Sequence, residues 1–338
     1  MNHIRPIRPD DLDALLELAH EAGAGFTSLP ADREFLRGRI ELSKRSFDAQ
    51  VSTPGHERYL FVLEDGATGI VGGCCAIEAA CGLDEPFYSY RVGLTVQASQ
   101  RFALYNRVPT LYLTNDYTGS AVLCSLFLRP GFRGRDGAGR LLSKCRFLFM
   151  AAHRARFAER AIAEMRGVSD ERGRAPFWEG LGRHFFQVDY GEAERIVGLG
   201  NKSFIAELMP AHPIYAALLS DEAREVMGQV HEHTRPALRL LESEGFRHQG
   251  YIDIFDGGPT VEAPLTAVRS VRDSRLLETR IGNPPPGASA QLLANDRLRD
   301  FRCVLARAAP ARDHVALDQA TAAALNIAPG DPVRIAAP

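Results

Sequence analysis

Between residues 123 and 144 an apolar run, Leu123-Cys124-Ser125-Leu126-Phe127-Leu128, meets a turn rich in glycine and arginine. An amphipathic segment follows from Arg140 onward. Around Gly137, Ala138 and Gly139 no bulky side chain would stand over the start of a helix. Its backbone N–H groups and the positive end of its dipole can therefore hold a pyrophosphate, with flanking arginines adding charge. A second candidate is His231, in Gly228-Gln229-Val230-His231-Glu232-His233, because an imidazole titrates where proton transfer at neutral pH needs it to. His231 and His233 at i, i+2 also raise metal binding, but no third ligand has recognisable spacing, so no metal site is expected.

Other patterns fail on inspection. Gly198-Leu199-Gly200-Asn201-Lys202-Ser203 superficially resembles a nucleotide loop, yet Asn201 stands where a phosphate loop needs glycine and Ser203 where a dinucleotide fingerprint does. No Gly-x-Ser-x-Gly elbow marks a serine hydrolase.

The bulk properties set the frame for this chemistry. A chain of 338 residues holds one large or two ordinary domains. Its net charge of -2 leaves no electrostatic footprint for nucleic acid or an acidic membrane. The six cysteines sit in apolar stretches without Cys-x-x-Cys spacing, which reads as buried reduced thiols. Residues 1–6 lack the apolar core of a signal peptide, and the most apolar stretch, 69–80, is too short to span a bilayer, which takes about 18 residues. A cytoplasmic protein is the expectation.

Hydrophobic periodicity supplies the elements. A strand at 3–8 leads into a helix through Glu21 with Asp10 as its N-cap, and Asp32 opens a second helix carrying Phe35, Leu36, Ile40 and Leu42. Strands at 59–63 and 70–77 flank a turn at 64–69, and the sheet continues at 88–96 and 110–113. A helix over 139–158 and a strand at 161–165 follow the glycine loop. Two passages, 176–186 and 237–247, read as the same helix–glycine–aromatic device used twice. Residues 1–283 thus form one domain in two halves, about 1–200 and 201–283. Pro284-Pro285-Pro286-Gly287 opens a linker and a small C-terminal subdomain over 284–338, with strands near 304–306, 315–317 and 333–335.

The order of strand, glycine loop and helix resembles the coenzyme-A element of GNAT acyltransferases. Their signature places Arg or Gln three residues before the first of two small residues. Gly137 and Gly139 fit the small positions, but Gly134 occupies the Arg slot, with Arg133 and Arg135 on either side. A more specific resemblance is to the arginine N-succinyltransferases. It is carried by RVGLTVQASQ (91–100), PTLYLTNDYTGSAVLCSLFL (109–128), AEMRGVSDERGRAPFWEGLGRHFF (163–186), NKSFIAELMPAHPIY (201–215), GQVHEHTRPA (228–237) and YIDIFDGGPTVE (251–262).

The resemblance implies an α+β, GNAT-like fold with a mixed, mostly antiparallel central sheet flanked by helices, plus the small C-terminal α+β or β subdomain. It implies succinyl transfer from succinyl-CoA, a co-substrate rather than a bound cofactor, to the α-amino group of L-arginine. His231 becomes the proton donor. Leu126 contacts succinyl-CoA; Leu126 and Leu128 would lie beside the pantetheine on a splayed strand or serve ordinary sheet packing. Direct attack in a ternary complex is expected, since no activated cysteine is visible. Asp116 and Glu164 are the carboxylates named for the guanidinium clamp. Alternatives stay open: ornithine or another basic amine as acceptor, another short dicarboxyl-CoA as donor, or a non-catalytic subunit of a paralogous complex. A homo-oligomer, or a hetero-oligomer with a paralogous chain, is expected, with the C-terminal tail as a possible assembly module.

Overall fold

A computed structural model describes residues 1–23, 28–171, 173–198, 203–210 and 212–338. The loop at 198–203 and the border between the two halves therefore fall largely outside the described residues. The strands are β1 (Asn2–Pro6), β2 (Arg58–Asp65), β3 (Val71–Glu78), β4 (Ser89–Ser99), β5 (Leu104–Thr114), β6 (Ala121–Leu128), β7 (Arg160–Glu164), β8 (Ile214–Tyr215), β9 (Arg247–Ile252), β10 (Pro259–Pro264), β11 (Arg275–Ile281), β12 (Ser289–Asn295), β13 (Cys303–Ala308), β14 (His314–Leu317) and β15 (Pro332–Ala336). The helices are α1 (Leu12–Ala22), α2 (Arg33–Asp48), α3 (Ala138–Ala152), α4 (Pro176–Gly180), α5 (Gly182–Phe186), α6 (Tyr190–Gly198), α7 (Ser203–Leu208), α8 (Asp221–Glu225), α9 (Arg235–Glu244), α10 (Arg269–Arg272) and α11 (Gln319–Leu325).

All the strands join one sheet in the order β14-β11-β15-β12-β13-β1-β2-β3-β6-β7-β10-β9-β4-β5-β8. Pairing is antiparallel except at β6–β7 and β11–β14, as expected for a mixed, mostly antiparallel sheet. On one face α3 buries Leu141, Leu142, Cys145, Leu148 and Phe149 in the main core. On the other, α1 and α2 cover Leu60, Val62 and Cys74. Asp32 caps α2 by accepting the Phe35 N–H at 2.8 Å, and Ser43 and Ser46 accept the N–H groups of Leu60 and Arg58, which ties α2 to the start of β2.

Three expectations change. Asp11, not Asp10, holds the first helical turn: its carboxylate accepts the Arg8 N–H and pairs with Arg5 at 2.6 Å. The two helix–glycine–aromatic passages are different devices. Gly245 ends α9 with a left-handed φ of 105°, whereas Gly182 begins α5 and is small because the Trp178 ring presses on it. Finally, β11 precedes the proline run yet pairs with β14 and β15, and β13 pairs with β1. The C-terminal unit therefore takes its first strand from before residue 284 and is sewn into the main sheet, and the prolines form a connection within it.

The cysteines are free thiols, and all but Cys124 are fully buried. No helix among the described residues is long and apolar enough to cross a membrane.

Candidate active site

The site is built where two parallel strands part. β6 and β7 pair only at Ala121–Ala161 and Val122–Ile162, while β3 accompanies the other edge of β6 as far as Leu128. From Leu123 onward β6 thus offers one open edge of backbone amides. A bulge interrupts it at Ser125, whose φ is 54°. The extra residue shifts the alternation of side chains. Leu126 and Leu128 turn to the α3 core, whereas Cys124 and Phe127 face α1 and α2. Leu126 and Leu128 remain partly exposed beside the open edge.

At the end of β6 the chain turns into α3 through an exposed loop with positive φ at Gly134, Asp136 and Gly137. Gly137 is needed twice over: its φ is 65°, and a Cβ there would collide with the Leu305 side chain. At Gly139 a Cβ would only touch Leu128 at 3.8 Å. The Ala138 N–H is committed to the Arg135 carbonyl at 2.9 Å, and Gly137 receives the Leu141 N–H. The first-turn donors left over are those of Gly139 and Arg140. The free N–H donors of this stretch are therefore shifted one residue towards the helix.

Between the parted strands lies a cleft of about 270 Å³. One end is acidic: Glu164 at the end of β7, Glu194 on α6, and Asp253 and Asp256 in the turn after β9. Tyr190 donates its hydroxyl to Glu194 and sits 3.4 Å from Asp256. Asp256 is buried and accepts the N–H groups of Gly167 at 2.6 Å and Gly258 at 2.8 Å, which shapes the wall beside Arg166. Burial, then the neighbouring Asp253, pushes its carboxyl well up. The cleft is also lined by Arg39, Arg58, Ser28 and Cys124, with Arg58 paired to Glu78 at 2.9 Å and Glu85 close enough to act on Arg39.

His231 stands one residue behind this wall. Its backbone N–H donates to the carbonyl of Arg166, a cleft residue, at 2.9 Å, and its Nδ1 accepts the His233 N–H at 3.2 Å. Burial, Arg166 and His233 lower its pKa from 6.5, with Glu232 and the Ser169 carbonyl opposing. The ring is therefore neutral at pH 7. Asp116 lies elsewhere: it is exposed, accepts the Tyr251 hydroxyl at 2.8 Å, and does not line the cleft. Of the two carboxylates named from the sequence, only Glu164 reaches it. No cluster of three metal-ligating side chains occurs among the described residues.

Arg39, Arg58, Tyr190, Glu194 and Ser125 were not foreseen. Phe35 and Arg39, at i and i+4 on α2, were the one available signal, since that spacing stacks a guanidinium on a ring; the separation is 4.5 Å.

A parallel strand pair that opens beside a bulge, above a glycine turn and a helix N-terminus, defines a GNAT-like N-acyltransferase fold. Residues 2–270 match the family described as arginine N-succinyltransferase beta subunit, and residues 275–337 match the C-terminal domain of that subunit. The chain belongs to this family. It is 51% identical over 336 residues to the arginine N-succinyltransferases of Salmonella paratyphi B and Salmonella typhimurium, covering 99% of this chain and 97% of each relative. The solved structure of arginine/ornithine succinyltransferase subunit AI from Pseudomonas aeruginosa superimposes with a TM-score of 0.91 at 41% identity, over 100% of this chain and 98% of that one.

Proposed function

We propose that this chain transfers the succinyl group of succinyl-CoA to the α-amino group of L-arginine, giving N2-succinyl-L-arginine and CoA, in arginine catabolism in the cytoplasm. The observation that carries the reading is the opening of β6 from β7 at Leu123, directly ahead of the α3 N-terminus. The pantetheine amides pair with the free edge of β6 beside Leu126 and Leu128. The pyrophosphate sits on the N–H groups of Gly139 and Arg140, with Gly137 and Ala138 shaping the turn beneath it.

The acceptor's guanidinium enters the acidic end, against Glu164 and Glu194. Its α-ammonium group sheds one proton to solvent and attacks the thioester carbon. A C–N bond forms, and the oxyanion is received by backbone N–H groups at the Ser125 bulge. As the C–S bond breaks, a second proton leaves the new ammonium nitrogen. His231, neutral before attack, accepts it and delivers it to the CoA thiolate. Its lowered pKa suits the accepting half of that role.

Ornithine as a second acceptor, and assembly with a paralogous chain, are supported by the Pseudomonas relative, titled a subunit of an arginine/ornithine enzyme. Thiol release from succinyl-CoA and acetyl-CoA, each with arginine and ornithine, tests the reading. The arginine–succinyl-CoA pair should give the highest kcat/KM. No thiol release from succinyl-CoA with either amine would rule the activity out.

A further inference from the structure

Among the described residues, Arg39 lines the cleft without a carboxylate in ion-pair contact, although Glu78 and Glu85 lie near enough to act on its charge. Its guanidinium lies over the Phe35 ring, its Nε is buried without a hydrogen-bond partner, and no carboxylate of the described residues lies within ion-pair distance of it. Its neighbour Arg58 is engaged by Glu78, and Glu85 sits exposed at the rim. A buried guanidinium donor left unsatisfied is costly, and a carboxylate is the group that fits its fork.

The position says which carboxylate. Arg39, Arg58, Ser28 and Cys124 line both the cleft and a small recess beside it, and Ser125 lines the recess as well. Ser125 is the bulge residue of β6, and its hydroxyl lies 2.9 Å from that of Ser28. A thioester carbonyl at this bulge would point a four-carbon diacid chain along the Ser28, Cys124 and Arg39 side of the cleft, with its second carboxylate three carbon–carbon bonds further on. Burial, then Arg58, lowers Arg39 to about 10, which keeps it charged at neutral pH.

We propose that Arg39 binds the distal carboxylate of the donor's acyl group and so makes the site select a dicarboxylic acyl thioester over acetyl-CoA. The assignment rests on the acyl-transfer reading above and names the residue that sets its donor specificity. The acceptor's own α-carboxylate is the other source of the same chemistry, and the test separates the two.

The full-length chain and its Arg39→Gln and Arg39→Lys variants would be assayed with succinyl-CoA and acetyl-CoA, using arginine and agmatine, which lacks the carboxylate. CoA affinity, measured by calorimetry, checks that the fold is intact. Arg39→Gln should lose about 10²-fold in kcat/KM for succinyl-CoA. It should leave acetyl-CoA turnover and CoA affinity near wild type. Arg39→Lys, which keeps the charge but not the fork, should lose less with the same donor bias, and it decides the matter if the Gln variant does not fold. Equal losses with both donors, or a loss that follows arginine against agmatine, would overturn the proposal while leaving the activity standing. A wild-type chain that is inactive with succinyl-CoA overturns the activity itself.

Discussion

His231 hangs by its backbone N–H from the carbonyl of Arg166, 2.9 Å away, so the imidazole and a guanidinium of the cleft wall are held as neighbours. The positive charge of Arg166 adds to burial in disfavouring a second proton on the ring. If the neutral ring accepts the proton, activity is present above the folded pKa and lost below it. The acidic limb of kcat/KM should therefore lie below pH 6.5. Arg166→Gln should move that limb upward in pH, and a limb that stays put would separate Arg166 from the titrating group.

His231→Ala should lower kcat by about 10²–10⁴ while CoA binding survives. Single-turnover kinetics beside equilibrium CoA binding would show this. Wild-type turnover in the variant would remove the ring from proton transfer.

The acidic end of the cleft should control the acceptor alone. Glu164→Gln and Glu194→Gln should each raise KM for arginine by about tenfold, the loss expected when a charged hydrogen-bond partner is removed, with KM for the acyl-CoA unchanged. Asp116→Asn, outside the cleft, should change neither constant.

Gly137→Ala meets a positive φ and the Leu305 side chain together, so it should cost about 1–2 kcal/mol from the backbone alone and weaken acyl-CoA binding as the turn shifts. Gly139→Ala, with ordinary contact to Leu128, should be neutral or slightly stabilising, because alanine suits a helix better than glycine. Urea unfolding of the two variants makes the comparison.

Beneath the site, Lys144 on α3 pairs with Glu244 on α9 at 2.7 Å, and both side chains are all but fully buried. Glu244→Ala strands the ammonium and should cost about 3–5 kcal/mol, whereas Lys144→Met with Glu244→Leu should recover most of it. Burial pushes the Glu244 carboxyl up, but its hydrogen bonds from Lys144 and Ser270 outweigh this and bring it below 4.5. Its contribution is therefore present above pH 4.5 and is lost as pH falls through the lower folded value. Acid unfolding midpoints of wild type and the double variant should differ accordingly.

The amino-acid order alone determined what depends on neighbouring residues. The apolar run into β6, the glycine turn, α3, the Asp32 cap and the β2–β3 hairpin follow from side-chain period and backbone freedom within a few residues. The family's longer motifs brought His231 and Leu126 into view for the same reason, since a motif is a local string. Local strings misled where the cause was distant: Gly182 is small because Trp178 presses on it, and β11 belongs to the C-terminal layer because β14 and β15 pair with it. The cleft itself was a tertiary decision. β6 and β7 part because their pairing stops at Val122, and that parting sets Arg39, Glu164, Glu194 and Asp256, drawn from α2, β7, α6 and the turn after β9, around one cavity. Residues so far apart in the chain share no period or spacing, and only the packing of the sheet and its helices gives them a common charge pattern.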